Sequence, residues 1–298
     1  MIKSYIPRVA AVNDLSGFGR VSLTEAMPIM SAMGLEVCPL PTAVLSTHTY
    51  KFEKYTFLDM TTEMEKILAH WTQLGIKFDA VCTGYMGSAR QIELVSDFIR
   101  GIKANGGLAV IDPVLGDNIL SDAETVYYDR MNDLLCSMKK FASLADVITP
   151  NLTEACLLLD EEYPKGNITH DKLRHYLKEL SRLGPKYVAI TSVMTDDDHM
   201  CVGVYDRDAD VCHEIDCGYV NRPFHGTGDI FAAVLTGALV KGIDFCRAAE
   251  ISVDFIKKAI AETLKYPDIK IEHGVVFEPV LTELSALCRA TESQTADE

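Results

Sequence analysis

The feature that most constrains this chain is a regular alternation of short β-branched runs with longer segments of helical periodicity. Residues 8–13, 36–45, 79–83, 108–112, 146–149 and 187–191 read as strands. Between them, segments near 20–33, 60–74, 89–104, 127–140 and 169–183 carry apolar residues at helical spacing. Such alternation builds βαβ units, so it predicts an α/β fold with a central, mostly parallel sheet and helices on both faces. After Thr191 the pattern changes. Runs at 200–205 and 211–216 flank a polar turn and predict a small antiparallel edge hairpin, and helices follow at about 229–242, 244–265 and 278–290. Nothing in the composition marks an internal boundary, which predicts one domain over residues 1–290 and a polar tail over 291–298.

Charge narrows the functions available. A net charge of −15 on 298 residues argues against sequence-independent nucleic-acid binding and against an anionic membrane surface, both of which need a basic face. An anionic substrate would have to meet a local positive field from amides, metal ions or a few basic residues. The nine cysteines form no C-x-x-C pair, so no zinc site is expected, and most stand in apolar runs as small core residues. The opening residues lack the apolar core of a signal peptide, and no window of 18 residues is continuously apolar, so a cytoplasmic protein with no membrane span is expected.

An open parallel sheet binds ligands outside the carboxyl ends of its strands. That rule selects Asn13-Asp14, Ser46-Thr-His-Thr49, Gly84-Tyr85, Asp112-Pro-Val-Leu-Gly-Asp117, Thr149-Pro-Asn151-Leu-Thr-Glu154 and Thr191-Ser192. Gly17-Phe-Gly19-Arg-Val-Ser22 comes near the dinucleotide fingerprint, but its third glycine is Ser22 and no acidic residue closes the second strand. A P-loop, the protein-kinase motifs and the Gly-x-Ser-x-Gly elbow of serine hydrolases are all absent from the sequence. Asp112 and Asp117, separated by a tight turn, could hold Mg²⁺, which typically takes one or two carboxylates beside phosphate oxygens. Asn151 is placed to cap a following helix with Glu154 at its third position. His48, His213 and His225 have no ligand-spaced partner and read as structural hydrogen-bonders.

The remaining motif is Gly226-Thr-Gly-Asp229, a glycine turn running into an apolar helix. Free amides and the helix dipole make such a turn an anion site, which leaves the carboxylate of Asp229 to be explained. Taken in order and spacing with the 84–85, 112–117 and 149–154 segments, this turn resembles the vitamin B6 branch of the ribokinase-like superfamily, the pyridoxal (pyridoxine, pyridoxamine) kinases, from about residue 8 to 260. The resemblance implies ATP-dependent phosphorylation of a 5′-hydroxymethyl group on a pyridine ring. It implies Asp229 as the base, with the amides of Gly226, Thr227 and Gly228 receiving the phosphoryl group. It also implies Asp112, Asn151 and Glu154 at the ATP phosphates and Mg²⁺ (Asp112 and Glu154 on the metal), and Thr191 and Ser192 nearer the nucleotide. Thr49 and Tyr85 match positions that touch the vitamin ring. Asp14 stands where many relatives have serine, so the close relative hydroxymethylpyrimidine kinase remains the second reading. A non-catalytic binding protein of the same fold and an NAD-dependent enzyme are weaker ones. A B6 vitamer as small-molecule partner, a homodimer and a monovalent cation such as K⁺ are further expectations from the resemblance.

Overall fold

A computed structural model describes residues 5–115, 126–218 and 224–286. Asp117, the 222–223 segment ahead of the glycine turn and the 291–298 tail lie outside the described residues. Among the described residues nine strands form one sheet in the order β3-β2-β1-β4-β5-β6-β7-β8-β9. The six central strands are β2 (Glu36–Leu45), β1 (Arg8–Ser16), β4 (Ala80–Thr83), β5 (Leu108–Ile111), β6 (Val147–Ile148) and β7 (Tyr187–Met194), all parallel. β8 (Met200–Asp206) and β9 (Val211–Asp216) add the antiparallel hairpin at one edge. At the other edge is β3 (Phe57–Asp59), an antiparallel strand that the periodicity did not predict. It has three residues, all exposed, and so carries no burial pattern to read.

β1, β4, β5 and β6 are buried almost throughout, and successive residues enter opposite cores, as in a sheet covered on both faces. Val12, Val81 and Ile111 point into one core, shared with α3 (Ala89–Ala104) and α6 (His170–Arg182). Ala11, Cys82 and Val110 point into the other, shared with α1 (Leu23–Ala32), α7 (Thr227–Val240) and α8 (Phe245–Thr263). α2 (Thr61–Gln73), α4 (Val126–Ala142) and the short α5 (Leu152–Leu159) complete the first layer. α7 is apolar all round, with every residue from Ile230 to Ala238 buried, which is the signature of a helix enclosed by protein. It lies close to α1, because a side chain at Gly237 would meet Met33 Sδ at 2.4 Å.

Of the described cysteines, Cys82, Cys156 and Cys201 are buried, four are half-buried and Cys136 is exposed. The core role expected of most cysteines therefore holds fully for three. Burial pushes the Cys82 thiol up to about 12, so beneath the sheet edge it is an inert apolar group. Among the described residues, no helix is long and apolar enough to cross a membrane.

Candidate active site

From β1 the chain moves outward through β2 to β3, then returns past β1 to form β4 on its other side. The carboxyl ends of β1 and β4 therefore flank a topological switch point, where two connections diverge and leave a crevice. Asn13 of β1, Thr83 of β4, Asp112 just past β5 and Asp229 of α7 all line one small cavity there.

Asp229 is held from two sides. Its Oδ1 accepts a hydrogen bond from Asn13 Nδ2 at 2.9 Å, and its Oδ2 accepts one from the backbone N–H of Ser22 at 2.9 Å. Asn13 is itself oriented, since its Oδ1 accepts from the N–H groups of Asp14 (2.9 Å) and Tyr85 (2.8 Å). With its oxygen committed to two donors, the amide can present only its nitrogen to Asp229. Gly84 makes room for this: a Cβ there would stand 2.3 Å from Asn13 Nδ2. The strand-end rule selects Asn13 in the sequence but gives it no partner, and Ser22 reads only as the residue that spoils a glycine fingerprint.

Asp14 lies inside β1, where it is 8% exposed. Its Oδ1 accepts from Ser22 Oγ at 2.6 Å and its Oδ2 from Ser16 Oγ at 2.7 Å. In this arrangement its carboxylate ties β1 to the start of α1, beside the expected ring position.

α7 begins at Gly226, whose φ of 85° is in the left-handed region and whose place no side chain caps. Glycine has no side chain with which to cap the helix, so the partial positive charge at its start is available to an anion. Gly228 is exposed, whereas Thr227 and Asp229 are half-buried. A Cβ on Gly228 would lie 3.9 Å from Asp112 Oδ2, so the turn and the Asp112 carboxylate are neighbours.

On the far side, Asn151 and Glu154 form a complete capping box at the start of α5. Glu154 is 4% exposed; its Oε2 accepts from Asn151 N at 2.9 Å and its Oε1 from Leu115 N at 3.3 Å, which binds it to the segment following Asp112. The buried hydroxyls of Thr83 and Thr149, at the ends of the strands flanking β5, have no hydrogen-bond partner among the described residues. The carboxylates and hydroxyls at these strand ends offer oxygen only, the chemistry that suits a hard cation such as Mg²⁺. Thr191 pairs with Asn151 through an isolated parallel bridge, and Ser192 follows at φ 57° in an irregularity of β7 that turns it outward.

The loop after β2 carries packed rings that reach the residue before Gly226. His48 is buried; its Nε2 donates to Glu272 O at 2.6 Å, and its Nδ1 accepts from Tyr50 N at 3.2 Å. These partners select the Nε2-protonated neutral imidazole. The ring of His225, immediately before Gly226, stacks on His48 at 5.5 Å and lies 3.8 Å from Tyr50. His48 is a hydrogen-bonder, as expected, and its ring contact with His225 links the 46–50 loop to the residue before the glycine turn. Thr49 is exposed between them, and Tyr85 is half-buried at the end of β4.

The chain matches the family model described as phosphomethylpyrimidine kinase over residues 27–276. In structure it is similar to a Bacteroides thetaiotaomicron protein, provisionally called a phosphomethylpyrimidine kinase and crystallised in a form with pyridoxal. The TM-score is 0.84 and the identity 42%, covering 94% of this chain and 96% of that one. In sequence it is 32% identical to the pyridoxine kinase of Bacillus subtilis, over 63% of this chain and 66% of that protein. It is 28% identical to the hydroxymethylpyrimidine/phosphomethylpyrimidine kinase of Mycobacterium tuberculosis, over 88% of this chain and 90% of that protein. A kinase family implies phosphotransfer from ATP, which agrees with a glycine-capped helix start beside the Asp112 carboxylate. The chain belongs to the phosphomethylpyrimidine kinase family, within the ribokinase-like superfamily that includes its pyridoxine and pyridoxal kinase relatives.

Proposed function

We propose that this kinase transfers the γ-phosphoryl group of ATP to the 5′-hydroxymethyl group of a B6 vitamer: pyridoxal, pyridoxine or pyridoxamine. The observation that carries the reading is the Asp229 carboxylate, fixed by Asn13 and Ser22 at the start of an uncapped helix in the switch-point crevice. The pyridoxal in the similar Bacteroides structure supports the choice of acceptor.

The chemistry follows from that geometry. The alcohol proton passes to Asp229, the alcohol oxygen attacks the γ-phosphorus in line, and the bond to the ADP oxygen breaks, so ADP leaves with its electron pair. Two donors hold the Asp229 carboxylate in one orientation, which removes the cost of aligning it in each turnover. The amides of Gly226, Thr227 and Gly228 stabilise the charge on the phosphoryl oxygens, and a preorganised donor of this kind contributes about 3 kcal/mol. Asp112 and Glu154 would hold Mg²⁺, which when bound offsets the charge of the nucleotide phosphates. Asn151, Thr191 and Ser192 form the nucleotide side, while Thr49, Tyr85 and Asp14 form the ring side.

A second reading, hydroxymethylpyrimidine as acceptor, is supported by the Mycobacterium tuberculosis relative and by the aspartate at position 14. Steady-state rates with pyridoxal, pyridoxine, pyridoxamine and hydroxymethylpyrimidine, each with Mg-ATP, separate the two. The highest kcat/KM is expected for a B6 vitamer, and a clear preference for the pyrimidine would reverse the ranking.

A further inference from the structure

Beneath the turn that opens α7 lies a group that the phosphoryl-transfer chemistry does not use. Glu25, in the first turn of α1, is fully buried, and neither of its carboxyl oxygens has a hydrogen-bond partner among the described residues. A side chain at Gly226 would place its Cβ 2.5 Å and 2.7 Å from those two oxygens, so the carboxyl group is pressed against the Gly226 backbone. The charged groups facing it are Asp229 of α7, Arg20 of the β1–α1 loop and Glu278 of the C-terminal 3-10 turn. Arg20 is paired to Glu278 at 2.6 Å, which weakens the one opposing charge among the described residues. Burial first, and then Asp229, pushes the Glu25 carboxyl well above its usual range.

We propose that Glu25 is a positioning residue of the phosphoryl-transfer site: its buried carboxyl group fills the space under Gly226 and aims the α7 amides. The proposal rests on the kinase reading above. Its physical content lies in the difference between the acid and its anion. The neutral group supplies volume without charge, whereas the carboxylate would compete with the transferring phosphoryl group for the positive end of α7. Loss of the Glu25 proton should therefore switch the site off.

The test is a comparison of wild type, Glu25→Ala and Glu25→Gln from pH 6 to pH 9.5, with Mg-ATP and pyridoxal. Glu25→Ala is expected to lower kcat at least tenfold, with KM for pyridoxal within threefold. Glu25→Gln, similar in shape and uncharged, should restore most of that loss and should lack the alkaline fall in kcat that wild type shows. A Glu25→Gln protein as impaired as Glu25→Ala, or one that keeps the wild-type alkaline limb, would overturn the proposal. If Glu25→Ala does not fold, the comparison of Glu25→Gln with wild type decides alone. Should wild type phosphorylate none of the four acceptors, it is the kinase reading that fails. Thermal midpoints then decide Glu25 itself: the advantage of Glu25→Gln should widen from pH 5 to pH 8, and a constant difference refutes a neutral Glu25.

Discussion

Asn13 of β1 and Asp229 in the first turn of α7 are 216 residues apart in sequence and joined by one 2.9 Å hydrogen bond, Asn13 Nδ2 donating to Asp229 Oδ1. The bond exists because the amide oxygen of Asn13 is already engaged by two backbone N–H groups. It makes the direction of the amide, and through it that of the carboxylate, a property of the sheet.

Asp229→Asn keeps the side-chain shape and removes the proton acceptor. General-base assistance contributes about 10²–10⁴-fold, so kcat should fall by that order while ATP affinity stays within about threefold. Steady-state kinetics with calorimetric ATP titration reads both quantities, and near-wild-type turnover would remove Asp229 from the role of base.

Asn13→Asp preserves the acceptor for the Asp14 and Tyr85 amides but sets a second carboxylate oxygen where the donor stood. Two carboxylates at hydrogen-bonding distance cannot both ionise freely, so the apparent pKa of the pair rises. The acid limb of kcat/KM should move to higher pH, with roughly a tenfold or greater loss at pH 7. An unshifted acid limb would show that the Asn13 bond does not govern Asp229.

Gly226→Ala meets two obstacles. The φ of 85° disfavours any residue with a Cβ, and that Cβ would lie 2.6 Å from the Arg20 carbonyl oxygen and 2.5 Å from Glu25 Oε2. Strain of about 1–3 kcal/mol plus overpacking of similar size should lower the thermal midpoint by roughly 5–15 °C. Turnover should be lost as well, because the α7 amides start from this residue; differential scanning calorimetry and kinetics on the folded fraction check both effects.

The raised folded-state pKa of Glu25 also fixes the sign of a stability effect. Above the ordinary carboxyl range the unfolded chain has released the proton that the native state retains, so native stability falls as pH rises. Its contribution is complete below the unfolded pKa of about 4.3 and is lost at up to about 1.4 kcal/mol per pH unit until the folded pKa is reached. Denaturation of wild type and Glu25→Gln at pH 5, 6, 7 and 8 should show the variant gaining on wild type across the series, and parallel curves would count against it.

The parallel strands were legible because residues buried on both faces leave continuous apolar runs, as in Leu108–Ile111. The edge strand Phe57–Asp59, exposed throughout, left no such trace. Asn151 and Glu154 could be read as a helix cap, and they form one, because a capping box lies within four residues of chain. Asp229 is legible as a carboxylate in an anion turn and Asn13 as a strand-end residue, but neither their bond nor the part of Ser22 is. Ser22 reads locally as a faulty glycine motif, yet its backbone N–H reaches Asp229 and its hydroxyl reaches Asp14. Glu25 is one charged residue in a helical run until α7 packs on α1 and buries it.

The sequence by itself determined the α/β class, the edge hairpin and the helix start that carries Asp229, since each depends on periodicity or capping among residues a few positions apart. Tertiary structure alone decided the strand order, and hence the crevice between β1 and β4, the Asn13–Asp229–Ser22 linkage and the burial of Glu25. Those features arise where β1, α1 and α7 meet. The free energy of desolvating and pairing their polar groups depends on partners some 200 residues away, and no local pattern records that distance.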